Sequence, residues 1–159
     1  MKTLTTTILL TLIFVSNFSF GQVTIAKNSI ENTTITNTLK KTNNAIFYAY
    51  EQTQKGKIYT ESLSKAVKHQ QIAKQLLTEN NYFRALHHSR LARIYAFKAI
   101  RYNKGVINSD WNFTDEEQKI FGEGIADVEL NEEMLKKYPN DKFLDEKVNQ
   151  NDLKNNELN

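Results

Sequence analysis

Apolar positions recur along most of this chain at intervals of three and four residues, the spacing of a single helix face. The pattern predicts a first helix from about Thr34 to Lys55, with Ile35, Leu39, Ile46 and Ala49 facing inward and Gly56 as its stop. A second helix is expected to begin near Thr60 as N-cap, with Glu61 in its first turn. Its inner stripe is Leu63, Ala66 or Val67, Gln70, Ala73 and Leu77. Asn80-Asn81 reads as a turn. The third helix should run to Asn103 and end at Gly105. Ala85, Ser89, Ala92, Ala96 and Ala99 form one narrow stripe of small residues, while Phe83, Leu86, Ile94 and Phe97 occupy the opposite face. A helix apolar on two faces sits between neighbours, so this helix is expected at the centre of the fold.

A loop holding Trp111, the only tryptophan, precedes Thr114 and Glu117, whose spacing is that of a capping box. They open an expected fourth helix that ends at Tyr138 before Pro139. Its apolar side is Ile120, Phe121, Ile125, Val128, Met134 and Leu135, and Gly122 and Gly124 favour a break within it. A short amphipathic piece, Lys142 to Val148, should follow, and residues 149–159 read as a disordered tail. The fold class is therefore all-α: a small bundle of about four helices in a single domain, residues 22–148.

The start of the chain obeys a different pattern. Lys2, a short apolar run from Ile8 to Phe14 and small residues at Ser19 and Gly21 have the layout of a secretory signal peptide cleaved before Gln22. The run is too short to span a bilayer, so the expectation is an exported, soluble product, periplasmic or secreted. The chain has no cysteine, which excludes disulfides, thiolate metal sites and a thiol nucleophile.

The stretch Asn81-Tyr82-x-x-Ala85-Leu86-x-x-Ser89-x-x-Ala92, preceded by Ala73 and Leu77, resembles the middle of a tetratricopeptide (TPR) hairpin over about residues 73–92. No second copy follows at the TPR spacing, and no proline closes the unit. The resemblance implies an antiparallel hairpin, protein binding and no catalysis.

The net charge of +3 hides a polarised chain. From Gln22 to Gly105 the only acids are Glu31, Glu51, Glu61 and Glu79; beyond Val106 acids outnumber bases. On the third helix Arg84, Arg90, Arg93, Lys98 and Arg101 lie among Phe83 and Phe97, with Lys104 on the same side, a combination able to hold an acidic protein or an anionic lipid and, less readily, nucleic acid. The acidic fourth helix could equally neutralise that face from within. His69 and His88 fall at similar heights on neighbouring helices and could take a metal or small ligand. No nucleophile, acid–base pair or cofactor loop is recognisable. The expected function is a non-enzymatic binding module using the basic face and needing no cofactor. A periplasmic helical chaperone, or a carrier using His69 and His88, are the alternatives.

Overall fold

A computed structural model describes residues 32–122 and 124–156; the expected signal peptide lies outside them. The described residues are helical, with no strand. Six α-helices follow in order: α1 Asn32–Gly56, α2 Ser62–Thr78, α3 Tyr82–Tyr102, α4 Asp115–Gly122, α5 Asp127–Lys137 and α6 Gln150–Lys154. Single 3-10 turns stand at Ser109–Trp111 and Asp145–Lys147.

The small-residue stripe of α3 explains the core. Ala92, Ala96 and Ala99 meet Ala45 and Ala49 of α1 and Ala66 of α2 in one buried cluster with Ile46, Leu63, Val67 and Ile100. Without bulky side chains at these contacts, helix axes can approach closely. A second cluster, Ile35, Leu39, Ala73 and Leu86, joins the same three helices toward the other end. Ile72, Met134 and Phe143 then attach α5 and the segment after it to the outside of α2.

The helix ends differ from the sequence expectation in an informative way. No described glycine has a positive φ; the left-handed residues include Lys57 (φ 55°) and Lys104 (φ 59°), which adjoin Gly56 and Gly105. Gly56 serves close packing instead, because a Cβ there would run into the Asn103 side chain. Asn80, in the turn between α2 and α3, is left-handed (φ 58°), as an asparagine readily is. The start of α2 is also corrected. The helix begins at Ser62, and its free amides are served by Asp145, far along the chain. The buried Asp145 carboxylate accepts from Thr60 N–H at 2.7 Å and Ser64 N–H at 2.9 Å.

The expected fourth helix is two helices, α4 and α5, separated around Gly122 and Gly124. Only part of its expected apolar side is covered: Met134 is buried, while Val128 and Leu135 are exposed. The tail expected to be disordered is, in its described part, ordered. Asn149 and Asp152 form a capping box for α6, Leu153 and Asn156 are buried, and Asn43 of α1 donates to the Asn156 carbonyl. A capped helix with one anchoring leucine docks on α1 although its composition is polar.

Candidate functional site

Arg93 lies at the heart of the expected basic face, and it is fully buried. A guanidinium has five N–H donors, and here each finds an acceptor. Nε donates to Thr42 Oγ1 at 3.0 Å, Nη1 to the Trp111 carbonyl and Glu117 Oε2, both at 3.2 Å. Nη2 donates to the Thr38 carbonyl at 3.0 Å and to Glu117 Oε1 at 2.9 Å. Glu117 is also the capping residue of α4: Thr114 N–H donates to it, and Glu117 N–H donates back to Thr114 Oγ1. Burial pushes the Glu117 carboxyl upward, but the hydrogen bonds and charge of Arg93, with those from Thr114 and Thr38, hold it below the usual carboxylate range. One carboxylate thus caps α4 and docks it on α3.

The neighbouring arginines are spent similarly. Arg84 donates to Glu133 and Glu129, and Arg90 to Asp127, all three carboxylates on α5. Lys98 and Arg101 are exposed, Lys98 lying 5.1 Å from the Tyr95 ring centre. The five residues expected to form one contact face therefore do not. Arg93 is inaccessible, Arg84 and Arg90 are neutralised by α5, and only Lys98 and Arg101 remain open.

The histidines come together more closely than sequence spacing could indicate. His69 Nδ1 and His88 Nδ1 face one another at 3.0 Å, and both rings are buried. Their other nitrogens point to α5: His88 Nε2 lies 3.0 Å from Glu133 Oε2, and His69 Nε2 lies 3.3 Å from Asn131 Oδ1. Burial opposes a charge on either ring taken singly, with proximity to His88 adding to the effect at His69 and Glu133 opposing it at both. No group of three or more His, Cys, Asp or Glu among the described residues is placed to hold a metal ion. His87 is buried too, packed between Phe83 and Phe121 with ring centres at 4.5 and 5.5 Å, and neither of its nitrogens has a partner. Burial, reinforced by Arg90, lowers it to about 4. Gly124 lets the chain pass directly over this ring; a Cβ there would overlap it.

A set of residues that overlaps the expected basic face only in part, at Lys98, Arg101 and Lys104, is exposed where α1 and α3 end and α2 begins. Asn103 ties the two turns together: its Oδ1 accepts from Ile58 N–H at 2.9 Å, and its Nδ2 donates to the Ile58 carbonyl at 3.0 Å. Around this clasp Ile58, Tyr59, Tyr102 and Val106 are exposed, Val106 by 80%. Lys55, Lys57, Lys98, Arg101 and Lys104 are exposed among them, and none forms a salt bridge with another described residue. The signal that could have found this end is the basic residue beside each helix-ending glycine, Lys55 and Lys57 around Gly56 and Lys104 before Gly105. Comparison with protein-family models, curated proteins and solved structures finds no match to this chain.

Proposed function

We propose that this protein is an exported, non-catalytic binding module that engages an anionic membrane surface through the end of its bundle. The observation that supports the reading is the clasped pair of turns bearing Ile58, Tyr59, Tyr102 and Val106 among five exposed cations that form no salt bridge with another described residue. Each Lys or Arg near an anionic leaflet contributes about 1 kcal/mol, and apolar side chains entering the headgroup layer contribute about 25 cal/mol per Å². Neither contribution gives firm attachment alone. Together they give reversible binding that requires acidic lipid and weakens with salt. The hairpin of α2 and α3, in its TPR-like reading, is the scaffold that sets the two turns side by side.

Vesicle co-sedimentation of the intact protein tests this. Vesicles of phosphatidylcholine containing phosphatidylglycerol should retain it at low salt, and phosphatidylcholine alone should not. The combined Lys57→Gln, Arg101→Gln and Lys104→Gln variant should lose retention while keeping its helical signal. Binding to polyglutamate with none to either vesicle would overturn the membrane reading in favour of an acidic protein partner.

A further inference from the structure

We propose that His69 and His88 together hold a single shared proton, forming a buried cation site that fastens α5 to α2 and α3. Protons can be counted along one hydrogen-bonded chain. Asn131 Nδ2 donates to the Asp127 carbonyl at 2.7 Å, which fixes the amide so that Oδ1 faces inward as an acceptor. That oxygen accepts from Tyr95 OH at 2.8 Å, so His69 Nε2, 3.3 Å away, must carry a hydrogen to make a bond there. At the other end, the Glu133 carboxylate is held ionised by Arg84, so His88 Nε2 must also carry a hydrogen. Two neutral imidazoles have now used both their protons. Their Nδ1 atoms, 3.0 Å apart, would then present lone pair to lone pair.

One further proton completes the chain. Placed between the two Nδ1 atoms it makes an N–H···N bond, and every polar atom along the path from Glu133 to Tyr95 is satisfied. Burial opposes the extra charge, as it opposes a charge on either ring alone. Two things offset it: removal of the lone-pair contact, and the carboxylate beside His88. Within the hydrogen-bonded cluster the protonated pair and Arg84 carry two positive charges against the two negative charges of Glu129 and Glu133, and Arg84 itself opposes a charge on His88. The other groups facing the pair are Lys65 on α2 and Lys137 on α5, which oppose the proton, and Tyr95 on α3, stacked on His69 at 5.6 Å. No other described carboxylate is in reach to make the pair a metal centre. The two bonds the histidines themselves make to α5, at Asn131 and at Glu133, depend on the rings keeping these tautomers.

Imidazole nitrogen NMR on the intact protein near neutral pH tests the count. The expected spectrum has three ring protons across His69 and His88, two on Nε2 and one shared between the Nδ1 atoms, unchanged by EDTA. Glu133→Gln should weaken affinity for the shared proton about tenfold, the effect of losing one adjacent charge. Two ring protons only, with one ring in the Nδ1–H tautomer, would overturn the proposal. So would Nδ1 signals that change when EDTA removes a bound metal.

Discussion

Along α3 the arginines at 84, 90 and 93 each meet a carboxylate from α4 or α5, whereas the cations around the ends of α1 and α3 meet none among the described residues. The two regions carry the same kind of charge and differ in what the chain brings to them. The acidic second half returns across the α3 face, and there charge becomes architecture: Arg93 is walled in, and its pairing with Glu117 is a condition of the fold. At the bundle end no described carboxylate arrives as a partner, apolar side chains stay exposed, and Lys57 and Lys104 are kept in left-handed backbone that glycine would adopt more easily. Positive charge in a sequence therefore marks a binding surface only where the same chain does not neutralise it.

The largest effect is expected at Arg93. Arg93→Met should cost about 3–5 kcal/mol in urea unfolding, because Glu117 is left buried and unpaired. The double variant Arg93→Met/Glu117→Leu should recover the part due to the unpaired charge but not the α4 cap or the partners of the Thr38 and Trp111 carbonyls. A single-variant cost below about 1 kcal/mol would mean the pair is no clamp.

Acid unfolding comes next. An unfolded histidine takes a proton near pH 6.5, but folded His87 resists until about 4. The stability tied to His87 is thus complete above pH 6.5 and falls as pH drops toward 4, by about 3 kcal/mol. His87→Leu should flatten that part of the pH profile while changing stability near pH 7 little, since the ring's nitrogens have no partners to lose. Gly124→Ala should cost about 1–3 kcal/mol by forcing a methyl into the buried His87 ring and against the Phe121 carbonyl, and His87→Ala should remove only the share due to the ring.

The smallest effects sharpen the contrast at the bundle end. Lys57→Gly and Lys104→Gly should each stabilise the protein by about 1 kcal/mol, by relieving left-handed backbone, while weakening vesicle binding. A gain in stability with no change in binding would separate these lysines from the surface.

Much of the bundle was legible in the sequence because it rests on local signals. The small-residue stripe from Ala92 to Ala99, the turn at Asn80 and the capping box of Thr114 and Glu117 are all set by residues close in sequence. What was not legible depends on distant segments. Asp145 capping α2, Asn131 and Glu133 reaching the histidines, and Asn156 meeting Asn43 are encounters across the chain that no spacing encodes. The candidate site shifted for the same reason. The basic residues on and just after α3, Lys104 among them, were identifiable, but which of them α4 and α5 would cover was not, and Lys55 and Lys57 beside Gly56 read only as a helix end.

Quantitative vesicle binding of the intact protein, compared between a variant of the bundle end and a variant of the α3 face, separates the two basic regions. Lys57→Gln/Arg101→Gln/Lys104→Gln should abolish retention on phosphatidylglycerol-containing vesicles, and Arg84→Gln, whose charge is already met by α5, should leave it intact. Loss of binding in Arg84→Gln with full binding by the bundle-end variant would rule out the bundle end as the contact and return the interaction to the α3 face.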